Sequence, residues 1–290
     1  MGRGVIQNRS AMIKVGFISD FYRNQIVGGA ESNDENLISN LRTYADVKCF
    51  KSNDVTVANL ENLDSIIVSN FVLLSENIKT FLINNKKYII YEHDHKYVKT
   101  RDPSKFVNFD IPKSELINVK FYEKAECVVV LSQICKDVLL SNIPDTNVHS
   151  IGCSLWSDKK LAYIASMTDN RKSGFCIMKS DNPTKNYINT VRFCEAKNIE
   201  PTHISSTSHT EFLKMMSEHR TFIFLPTVLE TFSRVCVEAK MLGLSTLTNK
   251  TNIGFYSEDY SNLMKLDLIY KIQEKQTEAY KFFGVFCELS

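Results

Sequence analysis

Short apolar runs alternate with segments of helical character along most of the chain. The runs at residues 13–19, 65–69 and 88–91 are rich in β-branched and aromatic residues, which is typical of buried strands. The intervening segments that read as helices include residues 31–42, 76–84 and 114–125. Strands that alternate with helices in this way favour parallel sheets covered on both faces, so the pattern predicts an α/β fold.

A second series of strands and helices begins at Gly174. The polar segment SLWSDKK (residues 154–160) separates it from the first series and is predicted to be a hinge. A chain of 290 residues should form two domains or one large one. We predict two domains, at residues 12–156 and 157–262. The predicted strands of the second series are residues 175–178, 202–206, 221–226 and 245–248.

The segment at residues 221–243, TFIFLPTVLETFSRVCVEAKMLG, combines a predicted strand, a turn and an amphipathic helix. Glu230 is placed at the open N-terminal end of this helix, and Glu238 lies eight positions later, roughly 12 Å along it. Amides in the first turn of a helix lack helical partners and are available to an anion. Here those amides belong to Thr231, Phe232 and Ser233.

A nucleotide sugar matches this layout in its order of groups. Glu230 could bind the sugar hydroxyls, the free amides the diphosphate, and Glu238 the ribose hydroxyls. The alternative is an ordinary helix with one capping glutamate and one solvated glutamate, since glutamates are common on helices.

The two glutamates within LPTVLETFSRVCVEAKMLG resemble the glutamate, seven residues, glutamate pattern of retaining glycosyltransferases of the GT-B fold, glycosyltransferase family 4 in particular. The resemblance is sharp at residues 226–243 and loose over the rest of residues 12–283. It implies two Rossmann-like domains that face each other across a cleft, with the nucleotide-sugar site in the C-terminal domain. It also implies that residues 263–290 form a helix that crosses back to the N-terminal domain. A membrane-surface helix is the alternative for this amphipathic segment.

The sequence GGAE after the first strand resembles a loop of the same family that faces the interdomain cleft. Gly28 and Gly29 let backbone amides approach a ligand closely at a helix start, which suits a phosphate or a sugar. The segment lacks the G-x-G-x-x-G fingerprint, so a dinucleotide site is not predicted. Taken alone, a pair of glycines indicates only a turn.

Polar and titratable residues follow the fourth predicted strand as Glu92-His93-Asp94-His95. Ligands of open α/β sheets bind beyond the carboxyl ends of strands, so this cluster is a candidate site. The family resemblance implies that His93 approaches the donor sugar, with Asp94 and His95 behind it. Arg101, in the polar loop that follows, could reach a substrate phosphate or an anionic acceptor, and a surface salt bridge is the alternative for this arginine. The alternatives for the cluster are a solvated strand-end turn and, for the two histidines, a divalent metal, which we do not favour.

Two lysines follow the first strand of the second series. In the family, an arginine and then a lysine at this place contact the donor diphosphate. Lys179 stands near the position of the arginine, and Lys185 stands at that of the lysine. The first is a departure from the family, because lysine offers a point charge where arginine offers a planar fork. A solvated surface lysine is the alternative for Lys179.

The resemblance implies retaining transfer of a hexose from a nucleotide diphosphate, which we expect to be UDP, to a hydroxyl group. The acceptor could be a carbohydrate, a lipid-linked molecule or another hydroxyl compound. Glu230, His93 and Lys185 are the expected catalytic residues. Two alternatives stay open: a transferase of the same fold that acts on DNA bases, and a sugar-nucleotide-binding module without catalysis.

Net charge, apolar runs and cysteine positions limit the partners and cofactors that the chain is expected to bind. The net charge of +2 suits an anionic substrate and gives no strong nucleic-acid signal. No apolar run approaches the roughly 20 residues of a membrane span. The eight scattered cysteines contain no C-x-x-C pair, which predicts buried reduced thiols and a cytoplasmic protein rather than a zinc site or disulfides. No cofactor is expected, because the nucleotide sugar is the substrate, and no metal ligand is assigned. Residues 1–11 are set aside as a leader or a disordered start.

Overall fold

The computed structural model of the chain describes residues 12–26, 28–168 and 173–289. The expectation for residues 1–11 therefore lies outside the described residues. One sheet contains β1 (Lys14–Ser19), β2 (Asp46–Lys51), β3 (Ser65–Val68), β4 (Tyr88–Tyr91), β5 (Cys127–Val130) and β6 (Val148–Ser150). The other contains β7 (Ser173–Met178), β8 (Pro201–Ile204), β9 (His219–Ile223) and β10 (Ser245–Leu247).

Helices connect the strands of both sheets. Those before the second sheet are α1 (Gly29–Leu41), α2 (Val57–Leu60), α3 (Glu76–Asn85), α4 (Val119–Glu123), α5 (Gln133–Asn142) and α6 (Asp158–Ala165). The later ones are α7 (Tyr187–Ala196), α8 (His209–Ser217), α9 (Arg234–Met241) and α10 (Lys265–Leu289). Short 3₁₀ turns, such as Pro103–Lys105 and Pro183–Lys185, shape the loops beside the sheets.

Every strand pair in the two sheets is parallel. The first sheet has the order β2-β1-β3-β4-β5-β6, and the second has the order β10-β9-β7-β8. The predicted α/β fold with two Rossmann-like sheets is therefore confirmed. In each sheet, successive strands are added first on one side of the first strand and then on its other side. The topological switch points therefore lie between β1 and β3 and between β7 and β9. Ligands of such sheets bind at the carboxyl ends of strands near these points.

One hydrophobic core is shared between the two sheets. It runs from Phe17 in β1 through Trp156 in the linker to Phe222 in β9, all of them closed to solvent. A second cluster packs on the opposite face of the first sheet and includes Ile90 and Val128. The linker is thus part of the core.

Helix α10 crosses between the two halves of the molecule. It contacts α9 and α6 on one side and α1 on the other. Its buried residue Phe283 meets the ring of Tyr91 in β4, with ring centroids 5.2 Å apart. The crossover helix expected at the C-terminus is confirmed. Within the described residues no helix is both long enough and apolar enough to traverse a bilayer.

Three local expectations were wrong. The helix predicted at residues 114–125 is limited to α4, because Asn118 adopts a left-handed conformation with φ of 59° directly before it. The predicted polar hinge instead buries Leu155 and Trp156 and leads into α6, which Ser157 caps. The motif helix begins only at Arg234, because Ser233 is left-handed with φ of 63°. The predicted domain limits stay a prediction.

Candidate functional site

A cleft of about 850 Å³ lies between the carboxyl ends of the two sheets. Loops that follow β1 and β4 form one wall, and loops that follow β7, β8 and β9 form the other. Twelve of the thirteen predicted site residues line it: Gly28, Gly29, His93, Asp94, His95, Arg101, Lys185, Glu230, Thr231, Phe232, Ser233 and Glu238. Lys179 is exposed and does not line the cleft, although its neighbours Met178 and Ser180 do. Alternation along an extended strand end explains this difference, because successive side chains point to opposite sides.

Lys185 and Glu230 form an ion pair at the switch point of the second sheet. Lys185 ends a 3₁₀ turn after β7, and Glu230 follows β9, so the neighbouring strands bring the two side chains together. The distance from Nζ to Oε1 is 2.7 Å, and both side chains are largely buried. Asn182 caps the turn by accepting the amide of Thr184, which fixes the position of Lys185. The pair offers one cation and one carboxylate to the same part of the cleft.

The loop between Glu230 and α9 presents unpaired backbone amides. Within the described part of the chain, the main-chain N–H groups of residues 231–235 have no hydrogen-bond acceptor. Residues 231–233 precede the helix, so the expectation that they form its first turn was wrong. Their amides are nevertheless free because the left-handed Ser233 turns the backbone into α9. Thr231 also crosses the cleft, and its Oγ1 donates to the His93 carbonyl at 3.1 Å.

Glu238 is at the bottom of the cleft and is closed to solvent. Its Oε1 accepts the Trp156 indole N–H at 2.8 Å, and its Oε2 lies 3.0 Å from His209 Nε2. Although burial alone would raise it, the pKa of Glu238 is lowered by His209, Arg234 and the indole. Each oxygen of Glu238 therefore already has a hydrogen-bond partner.

His93 is held by a carboxylate that the sequence did not point to. Asp34 in α1 lies 3.1 Å from His93 Nε2 and also accepts the hydroxyls of Ser19 and Ser69. A neutral imidazole that donates from Nε2 carries its lone pair on Nδ1. That nitrogen is buried without a partner among the described residues.

His95 does not share the surroundings of His93. His95 is buried beside the Tyr97 hydroxyl and the Leu229 carbonyl, and burial lowers its pKa. Because Nε2 of His93 points at Asp34 and His95 points elsewhere, the two histidines do not form a metal site. Within the residues that the structure describes, no group of three or more His, Cys, Asp or Glu side chains is placed to hold a metal ion.

Asp94 and Arg101 lie on the exposed rim of the cleft. Asp94 Oδ2 is 3.8 Å from Arg101 Nη1, and both side chains are about half exposed. Arg101 adopts a left-handed backbone conformation with φ of 54°. The distance between Asp94 Oδ2 and Arg101 Nη1 is longer than a hydrogen bond, so this ion pair is weak.

Sequence reasoning missed Arg234, Asp34 and His209. Arg234 is the only cation between the two motif glutamates, which is a signal that the sequence does contain. Asp34 and His209 contact the site from helices far away in the chain. No local pattern marks them.

Comparison with known proteins identifies the fold. No protein-family model and no curated protein sequence matches the chain. Sucrose-phosphate synthase from Thermosynechococcus elongatus superposes with a TM-score of 0.55 at 11% identity, over 81% of this chain and 81% of that chain. The chain has the GT-B fold.

Two further solved structures agree with that fold. The catalytic domain of starch synthase IV from Arabidopsis thaliana, solved with ADP and acarbose, has a TM-score of 0.54 at 9% identity and covers 97% of this chain and 94% of its own. A glycosyltransferase from Rickettsia africae has a TM-score of 0.52 at 12% identity, with 96% and 99% covered. At these identities the likeness describes the architecture, and activity has to be argued from the cleft itself.

Proposed function

We propose that the chain is a retaining glycosyltransferase that moves a hexose from a UDP-sugar to an acceptor hydroxyl. The observation that carries the proposal is the Lys185–Glu230 pair beside the unpaired amides of residues 231–235, inside the cleft of a GT-B fold. This set provides a cation and amides for a diphosphate and a carboxylate for sugar hydroxyls. The starch synthase domain of the same fold, solved with ADP, supports a nucleoside diphosphate as the ligand.

In the proposed reaction, the bond between C1 of the sugar and the diphosphate oxygen breaks, and its electron pair stays on the diphosphate. The acceptor oxygen bonds to C1 on the same face, and its proton passes to the leaving phosphate. Lys185 and the free amides stabilise the negative charge that develops on the leaving group. Glu230 orients the sugar, and His93, held by Asp34, approaches it from the other wall.

The ribose hydroxyls would donate to Glu238, whose Oε2 also accepts from His209. The acceptor would enter from the wall that carries Asp94, His95 and Arg101. No resident cofactor is needed for this chemistry.

Turnover of nucleotide sugars tests the proposal. Wild-type protein is incubated with UDP-, GDP- and ADP-hexoses and a panel of hydroxyl acceptors, and nucleotide release is measured. We expect one donor to be consumed and the Glu230→Gln variant to be slower by about 10²-fold, because a misplaced sugar loses its reactive geometry. Glu195→Gln, an exposed glutamate in α7 of the same half, is the matched control and should match the wild type.

The reaction products test the stereochemistry of the proposed transfer and distinguish it from the alternatives. NMR of the product anomer should show the configuration of the donor, and inversion would contradict a retaining mechanism. Binding of a donor without release by any acceptor would favour the non-catalytic module. Absence of both binding and release would refute a sugar-nucleotide function.

A further inference from the structure

Arg234, the first residue of α9, places a guanidinium between the two halves of the cleft. Its Nη1 donates to Asn33 Oδ1 at 3.1 Å and to the Leu155 carbonyl at 2.5 Å. The guanidinium carbon lies 4.3 Å from the centroid of the Trp156 ring. The side chain is 14% exposed and lines the cleft. Contacts from α1, the linker and α9 thus fix its position.

The charge of Arg234 is only partly balanced. Among the described residues, its sole ion-pair partner is Glu238, at 4.0 Å from Nη2, and that carboxylate also accepts from Trp156 and His209. Burial and the nearby Arg23 lower the pKa of Arg234, whereas Glu238 acts in the opposite direction. A buried cation without full compensation is unfavourable, so an anion bound beside it would be stabilised.

Three N–H groups of Arg234 remain available to a ligand. The two contacts of Nη1 account for both of its hydrogens, and the described residues place no acceptor within hydrogen-bond distance of Nη2 or Nε. Adjacent N–H groups on these two nitrogens match the spacing of phosphate oxygens.

The guanidinium also lies where a diphosphate would be expected. It adjoins the free amides of residues 231–235 in the chain. The Cδ atom of Arg234 is 3.5 Å from the position that a Cβ atom on Gly29 would occupy, so the Arg234 side chain lies beside the start of α1. Lys179, from which a phosphate contact was expected, is directed away from the cleft.

We propose that Arg234 binds the phosphate groups of the nucleotide ligand, in the role expected of Lys179. The inference rests on the proposed function of the cleft and adds a ligand contact to it. Because Arg234 also holds Asn33 of α1, phosphate binding would stiffen the contact between the two halves.

Paired titrations of a diphosphate and its nucleoside test this role. UDP and uridine, and ADP and adenosine as a second pair, are titrated calorimetrically into wild-type, Arg234→Gln and Arg192→Gln proteins. Arg192 is an exposed arginine of α7 and serves as the matched control. We expect Arg234→Gln to weaken diphosphate binding about tenfold or more and to change nucleoside binding less than about twofold. Arg192→Gln should change neither.

If Arg234 has a purely structural role, Arg234→Gln should weaken the binding of the diphosphate and of the nucleoside equally. That result would overturn the inference. So would unchanged diphosphate binding in Arg234→Gln. If that variant does not fold, Arg234→Lys serves instead, since it keeps the charge and loses the fork; it should weaken the diphosphate selectively by a few-fold. If the wild type binds the diphosphate no more tightly than the nucleoside, the phosphate contact is refuted while a nucleoside site stands. Failure of the wild type to bind any of the four compounds refutes the proposed function itself.

Discussion

Glu92 and Lys96 form an ion pair that is almost closed to solvent, with 2.7 Å between Oε1 and Nζ. Burial would raise the pKa of Glu92, but Lys96 and the Tyr122 hydroxyl, which donates to Oε2, hold it at about 2. The same carboxylate accepts the amide of Asp94. This pair therefore shapes the loop that carries His93 into the cleft.

The stability contributed by this pair should depend on pH. Because the folded pKa of Glu92 lies below its ordinary value of about 4.3, the contribution is complete above that pH and is lost as the pH falls toward 2. We expect Lys96→Met to reduce the free energy of unfolding by about 3–5 kcal/mol at pH 7. The deficit should shrink as the pH falls from 7 to 3, because Glu92 that has lost Lys96 can take up a proton in the folded state.

Urea unfolding at pH 7, 5 and 3 measures this difference. Lys271→Met, which removes an exposed ion pair of 2.8 Å with Glu274, should have little effect at any of these values. A Lys96→Met deficit that stays constant from pH 7 to pH 3 would contradict the assigned role of the pair.

Single residues of the site were only partly predictable. Glu230 and Lys185 could be chosen because both stand at positions that the family resemblance marks, and the sheet brings them together. The contacts of Asp34 and Arg234 could not be predicted, since they join residues that are 59 and 201 positions apart. Such contacts depend on how helices pack on the sheet, which local spacing does not encode.

At the scale of elements, the linker behaves as part of the core. Trp156 is buried against Phe232, with ring centroids 6.5 Å apart, and its indole donates to Glu238. The polar residues of SLWSDKK made the segment look like a solvated hinge. They are polar for another reason, since Ser157 is the N-cap of α6 and Asp158 and Lys159 lie in its first turn. A predicted hinge is in fact an anchoring segment.

Truncation of Trp156 should therefore destabilise the whole molecule. We expect Trp156→Ala to reduce the free energy of unfolding by about 3–5 kcal/mol, because it leaves a cavity and an unpartnered Glu238 oxygen. Trp156→Phe should cost less, because it keeps most of the packing and removes only the N–H donor. Urea unfolding is followed by circular dichroism, since Trp156 is the only tryptophan of the chain.

Tyr270→Ala is the control for these variants, since Tyr270 is an aromatic residue of α10 with 63% of its surface exposed. It should shift stability by less than about 0.5 kcal/mol. A Trp156→Ala protein as stable as this control would show that the linker is not an anchor.

Strands were more predictable than helix limits. The predicted strand at residues 88–91 matches β4 because charged residues, Lys87 and Glu92, bound the apolar run on both sides. The start of α9 was misplaced because a left-handed serine is not visible in a hydrophobic pattern. The spacing of hydrophobic residues indicates which positions are buried, whereas helix caps and left-handed turns depend on backbone angles.

At the scale of the whole molecule, the shared core and α10 join two sheets whose carboxyl ends face one cleft. The alternating pattern was sufficient to predict parallel sheets covered by helices, because strands and helices repeat along the entire chain, whereas the facing of the two halves across a cleft and the crossover helix were expected from the family resemblance. The pattern did not reveal that both halves share one core. That property depends on Trp156 and Phe283, which join segments distant in sequence.

The most direct test of the account is calorimetric titration of UDP, GDP and ADP into the wild type and the Lys185→Met variant. We expect one of the three to bind the wild type, and Lys185→Met to weaken that binding about tenfold or more, because a charge-assisted contact to the diphosphate is lost. Lys197→Met, an exposed lysine directly after α7, should bind like the wild type. If none of the three nucleotides binds, or if Lys185→Met binds as tightly as the wild type, the assignment of this cleft to a nucleotide diphosphate is contradicted.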